Sequence, residues 1–160
     1  MKSLNDIKEF TIDAFEDFRG SIYTTYHQTD FDLSFIHDKI SVRRQNSLVG
    51  IHGDFKTHKL VTCLHGEIFV AIVDNREDSS DYQKHRTFIL TGDNHKQLLV
   101  PPGMGNSFLV LSELCIYSYK LAYDGDYADV GEQFTLKWDD PKYNIYWPIK
   151  NPMLSERDSL

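Results

Sequence analysis

The chain has little with which to staple itself together: two cysteines, Cys63 and Cys115, among 160 residues. Two cysteines make no disulfide framework. A domain of this length buries enough apolar surface to fold without one, and unpaired thiols fit a cytoplasmic setting best. Glycine (9) and proline (5) are scarce, so no low-complexity or linker-like stretch divides the sequence, and one domain over 1–160 is expected. Long apolar runs are missing too. The longest, Ile68-Phe-Val-Ala-Ile-Val73, has six residues, far below the roughly 20 that a membrane-crossing helix needs. The N-terminal Met1-Lys-Ser-Leu-Asn-Asp-Ile lacks the apolar centre of a secretion signal. Basic residues are in the minority, 17 against 24 acidic, for a net charge of −7 with no basic block. A phosphate-tracking surface needs clustered Lys and Arg, so neither nucleic acid nor membrane is expected as a partner.

What the chain does have is short β-like segments. Apolar residues make up 41% and aromatics 13%, and no window of helical length carries an i, i+3, i+4, i+7 apolar stripe. Strands are predicted at 20–26, 59–64, 67–74, 87–90, 97–100, 107–111 and 115–121. His65-Gly66 reads as a tight hairpin-like joint, and turns are expected at Gly92-Asp-Asn, Pro101-Pro-Gly103 and Ser112-Glu113. Asp78–Tyr82 reads as loop or at most a helical turn. Many short strands at about ten-residue spacing predict an all-β, mainly antiparallel domain of the jelly-roll kind.

Seven histidines invite a metal hypothesis. However, His52, His58, His65 and Glu67 offer neither H-x-H spacing for one face of a strand nor i, i+4 spacing for a helix, so no metal site is expected. His52 differs from the others because Gly50 and Gly53 bracket it at an apolar strand end, where glycine permits close approach of a backbone or ligand.

Eleven short motifs in one order then carry a resemblance. They are Asp17-Phe-Arg-Gly20, Gly50-Ile-His52, Lys59-Leu-Val61, Gly66-Glu67, Val73-Asp-Asn-Arg76, Pro101-Pro-Gly103, Leu111-Ser112, Tyr119-Lys120, Trp138-Asp-Asp-Pro141, Ile145-Tyr-Trp-Pro148 and Leu154-Ser-Glu-Arg-Asp158. Over about residues 10 to 158 the chain resembles the nucleotide-sugar 3,5-epimerases typified by dTDP-4-dehydrorhamnose 3,5-epimerase. Ile51–Leu60, Met104-Gly-Asn106 and Gly125-Asp-Tyr127 look closer to a branch acting on GDP-linked 4-keto heptoses.

The resemblance implies a cupin barrel without metal or cofactor, usually a homodimer. It implies inversion at C3, C5 or both of a dTDP- or GDP-linked 4-keto sugar, in the supply of cell-surface polysaccharide precursors. A single-centre epimerase, a 3,4-ketoisomerase or a non-catalytic sugar-binding cupin is the alternative. By the same resemblance His52 is the general base, Asp158 orients it and Lys59 lies near the C4 oxygen. Tyr127, five residues before Glu132, matches the catalytic tyrosine better than Tyr123. Arg19, Ser41, Lys56, Asn106 and Tyr123 are candidate substrate contacts. The chain also departs from the pattern. Val49 stands where the family has arginine, Asn106 where it has histidine, and His37-Asp-Lys-Ile-Ser41 where it has Gln-x-Asn-x-Ser.

These residue types suit the reaction. Protons at C3 and C5 of a 4-keto sugar are acidified because the carbanion delocalises onto the C4 oxygen. A histidine, with an ordinary pKa of about 6.5, can take such a proton near neutral pH. A tyrosine stays protonated and can donate to the opposite face, while a lysine offsets enolate charge.

Overall fold

The structure is a computed structural model describing Met1–Leu160. The strands in chain order are β1 (Lys8–Thr11), β2 (Ala14–Asp17), β3 (Gly20–Tyr23), β4 (His37–Arg44), β5 (Leu48–Gly53) and β6 (His58–His65). They continue with β7 (Glu67–Asp74), β8 (His85–Thr91), β9 (Lys96–Val100), β10 (Met104–Val110), β11 (Leu114–Ala122) and β12 (Phe134–Thr135). Helix is confined to four 3-10 turns of three residues each. All ladders between strands are antiparallel. The all-β expectation holds.

Two five-stranded sheets face each other, ordered β1-β9-β6-β11-β4 and β12-β5-β10-β7-β8, and β2-β3 forms a separate hairpin. Between the sheets lies a core of 16 buried residues, to which both contribute: Val61, Leu98 and Tyr117 from the first, Ile68, Val70 and Phe108 from the second. The apolar run 68–73 is covered on both sides. Alternate residues enter the core, while Phe69 packs edge-on against Trp147 (5.5 Å) and Val73 packs with Ile51 and Tyr143. The C-terminal segment thus serves as an outer layer on the second sheet. It is tied there by Leu48 N–H to the Met153 carbonyl (3.0 Å) and Met153 N–H to the Asn46 carbonyl (2.8 Å).

Two local expectations need correction. His65-Gly66 is not a hairpin, because β6 pairs with β9 and β11 whereas β7 pairs with β8 and β10. Gly66 is instead a corner at which the chain leaves one sheet for the other, at φ +85°. A Cβ there would lie 2.2 Å from the Leu114 carbonyl oxygen, so glycine is required. The strand predicted at 20–26 ends at Tyr23. β4 was not predicted. It alternates, but with His37, Lys39 and Ser41 turned inward and the apolar Ile40 and Val42 half or more exposed.

Candidate active site

A β-bulge gives His52 its direction. On β10, Asn106 pairs with His52 and Phe108 with Val49, so two residues of β5 oppose the single Ser107. Without the extra residue, positions 49 and 52 would point to opposite faces of the strand. With it, both side chains line the same cleft. Gly50 makes the bulge possible: its φ is +104°, and a Cβ would meet the Asn106 carbonyl oxygen at 2.6 Å.

Behind His52 stands Asp158, carried in by the C-terminal segment. His52 Nε2 lies 2.5 Å from Asp158 Oδ1. Asp158 Oδ2 accepts from the Ser155 hydroxyl (2.9 Å) and the Gly50 N–H (3.4 Å). Burial alone would raise the Asp158 carboxyl. The hydrogen bond and charge of His52, with Ser155 and Gly50, outweigh it and hold the group below the usual carboxylate range. The pair leaves Nδ1 as the imidazole nitrogen without a protein partner.

The cleft, about 230 Å³, opens between the two sheets. Lys59 enters it from β6, its ammonium donating to the His52 carbonyl at 3.3 Å. Burial pushes Lys59 down to about 8; Asp54 opposes this, and Arg157 and Lys39 add to it. Tyr127 comes from the loop after β11 and rests on β4, in the same sheet as Lys59 and facing the sheet that carries His52, its ring edge-on to His37 (4.8 Å) and its hydroxyl 3.3 Å from Lys39 Nζ. On the floor, Asn106 donates through Nδ2 to the Tyr117 hydroxyl (2.9 Å), and burial keeps that phenol protonated. Asn106 Oδ1, Asp54 Oδ2 and Thr57 Oγ1 are buried without a hydrogen-bond partner. All three residues line the cleft, and such orphans are met by water or by a bound ligand.

Of the residues singled out from the sequence, His52, Lys59, Tyr127, Ser41 and Asn106 line this cleft, with Asp158 directly behind His52. Three others lie elsewhere. Tyr123 is turned aside, its hydroxyl 3.1 Å from His37 Nδ1. Lys56 is exposed and uses its N–H to cap Asp54. Arg19 sits at the tip of the β2-β3 hairpin, 76% exposed and paired with Asp17 at 2.5 Å, because the hairpin projects from the barrel. Lys39, Arg43, Gln133 and Arg157 also line the cleft and were not anticipated. Lys39 and Arg43 had a readable signal: counted from Ser41, they fall on the same face of an alternating strand.

No group of three or more His, Cys, Asp or Glu side chains is arranged to hold a metal ion. No helix is long and apolar enough to cross a membrane.

Comparison with known proteins places this architecture. The family model described as dTDP-4-dehydrorhamnose 3,5-epimerase matches residues 1–160. The dTDP-4-dehydrorhamnose 3,5-epimerase of Escherichia coli K12 is 35% identical over 156 residues, spanning 91% of this chain and 82% of that protein. Among solved structures, the 3,5-epimerase of Legionella pneumophila, in complex with dTDP-4-keto-L-rhamnose, superposes with a TM-score of 0.90 at 28% identity, covering 98% of this chain and 86% of the other. The Bacillus anthracis dTDP-4-dehydrorhamnose 3,5-epimerase, with TDP and pyrophosphate bound, gives 0.88 at 31% identity, covering 96% and 91%. These relatives offer no support for the GDP-heptose branch. With a matching family model over its whole length and the cupin barrel to go with it, the chain belongs to the dTDP-4-dehydrorhamnose 3,5-epimerase family of carbohydrate isomerases.

Proposed function

We propose that this enzyme inverts C3 and C5 of a dTDP-linked 4-keto-6-deoxy sugar, with His52 as base and Tyr127 as acid. The observation that carries this reading is the division of the cleft between two sheets. A histidine held by a buried carboxylate projects from β5, and a tyrosine hydroxyl rests against β4 on the facing sheet. Inversion at a carbon needs a proton removed from one face and returned to the other, so a base and an acid on opposing walls meet the requirement.

The steps follow from the groups present. His52 Nδ1 takes the proton from C3 or C5. Asp158 at Nε2 fixes the tautomer and stabilises the imidazolium that forms. The electron pair delocalises onto the C4 oxygen, where the buried Lys59 ammonium offsets the charge. Tyr127 then delivers a proton from the far side. Ser41, Asn106 and the unpartnered oxygens of Asp54 and Thr57 are candidate partners for sugar hydroxyls.

A homodimer belongs to the same reading. Phe15, Phe18 and Ile22 on the hairpin are 68%, 98% and 72% exposed, and Ile40 and Val42 add apolar surface on the outer face of β4. A second copy covering these residues would remove an aggregation hazard. It would also give Arg19 a route to substrate, in the partner's cleft. Sedimentation of the purified protein at the mass of two chains is expected; a monomer at micromolar concentration refutes the dimer.

Incubation with dTDP-4-keto-6-deoxyglucose, read by proton NMR coupling constants, tests the activity. Inversion at both centres is expected. Inversion of a GDP-linked 4-keto sugar but not the dTDP-linked one refutes the nucleotide assignment, and inversion of a single centre refutes the double epimerisation.

A further inference from the structure

The Tyr127 hydroxyl is held by two groups that can only donate to it. Lys39 Nζ lies 3.3 Å from Oη and 4.9 Å from the ring centroid. Gln133 Nε2 reaches the same oxygen at 3.5 Å. The orientation of that amide is fixed independently of the tyrosine. The Arg157 guanidinium, which has no acceptor, donates to Gln133 Oε1 at 3.3 Å through both terminal nitrogens. The Ala128 carbonyl, which has no donor, accepts from Nε2 at 2.8 Å. A phenol carries one proton and two lone pairs. Lys39 and Gln133 occupy the lone pairs, and neither can accept the proton. His37, edge-on to the ring, has its Nδ1 engaged by the Tyr123 hydroxyl.

We propose that Lys39 and Gln133 are positioning residues that aim the Tyr127 proton into the cleft and cradle the phenolate left when it is delivered. The proposal rests on the reading of Tyr127 as the acid. In that step the Tyr127 O–H bond breaks as a C–H bond forms at the enolate carbon. The enolate double bond supplies the electron pair, the C4 oxygen returns to a carbonyl, and the negative charge comes to rest on Oη. There it faces an ammonium and an amide N–H already in place, so nothing has to reorganise as the charge appears. Solvent later restores the proton.

Lys39 is suited to keep its charge. Burial alone would lower it, but the Tyr127 hydrogen bond and the neighbouring Tyr119, Tyr127 and Asp129 raise it above the ordinary lysine value. Gln133 adds a link between the two walls: it ties Tyr127 to Arg157, the residue next to Asp158.

The test counts exchange and inversion separately in deuterated water with dTDP-4-keto-6-deoxyglucose. Exchange needs only the base, whereas inversion also needs the acid. In Lys39→Met the ratio of inverted product to exchanged substrate is expected to fall about tenfold to a hundredfold. Gln133→Glu keeps the Arg157 pairing but replaces the donor by an acceptor that draws the phenol proton away from the cleft, and the ratio is expected to fall likewise. Lys39→Arg, which retains a cationic donor, is expected to recover most of the ratio, as loss of packing alone would not. An unchanged ratio in folded Lys39→Met and Gln133→Glu overturns the proposal, and a change in one alone removes the other residue from it. Tyr127→Phe, run alongside, separates the two levels. If it fails to uncouple exchange from inversion, the acid assignment falls and the cradle with it. If it uncouples them while the other variants do not, the cradle alone falls.

Discussion

Replacing Lys59 by methionine should make the protein more stable and far less active. A free lysine titrates at 10.5 and Lys59 at about 8 because burial penalises its charge. At about 1.4 kcal/mol per pH unit, holding the ammonium in the cleft costs the fold roughly 3 kcal/mol at pH 7. The cost is full below pH 8. Between about 8 and 10.5 the unfolded chain binds the extra proton and the folded one does not, so the contribution of this group to stability rises with pH across that window. Methionine keeps the length of the side chain and removes the charge, but forfeits the 3.3 Å hydrogen bond to the His52 carbonyl, worth about 1 kcal/mol. The net gain is about 2 kcal/mol at pH 7, a rise in Tm of roughly 4–8 °C for a chain of this size. It should vanish near pH 10 and become a small loss by about pH 10.5, where only the missing hydrogen bond remains. Thermal denaturation of both proteins at pH 7 and pH 10.5 reads this directly. The exchange rate should fall about 10²–10³-fold, as when one preorganised donor to a developing oxyanion is removed. A Lys59→Met protein less stable than the parent at pH 7, or equally shifted at both pH values, would refute the burial argument.

Other outcomes follow from the same geometry. In the parent enzyme, exchange should decline above pH 8 as Lys59 loses its proton, which a pH–rate profile checks; Lys59→Arg, charged throughout, should lose that limb. Asp158→Asn should lower exchange about a hundredfold or more without abolishing it, because the imidazole loses the group that fixes its tautomer and stabilises its cation. Gly50→Ala should cost about 2 kcal/mol or more in urea denaturation, since the bulge holds φ at +104° and leaves 2.6 Å between the new Cβ and the Asn106 carbonyl. Arg43 lines the cleft beside Val49, with no carboxylate partner. Arg43→Gln should raise KM about tenfold with kcat nearly unchanged, the signature of lost uniform binding.

How much of this was legible depended on whether the signal was local. The run Ile68–Val73 and the punctuation around 92–94 and 101–103 located the central strands, because alternation and turn chemistry act within a few residues. The His65-Gly66 joint did not reveal its nature. A glycine at positive φ serves a hairpin and a sheet-to-sheet corner equally well, and the choice is made by partners some 25 to 50 residues away along the chain. β4 was overlooked because its polar side chains face inward to the cleft and its apolar ones face out, the reverse of the usual alternation. Spacing to Glu132 favoured Tyr127 over Tyr123, and Tyr127 is the one that lines the cleft. The motif that matched Arg19 to a substrate contact could not say that its hairpin stands away from this chain's own cleft. Gln133 carries no motif at all, and Lys39 only the alternation counted from Ser41; the fold brings the two to one hydroxyl.

The central claim is that His52, held by Asp158, is the base. It is tested most directly by deuterium incorporation into dTDP-4-keto-6-deoxyglucose by the folded His52→Asn protein, with circular dichroism and thermal denaturation matching the parent. The account predicts no incorporation at C3 or C5 above the uncatalysed background. Incorporation at a rate near that of the parent enzyme would contradict it.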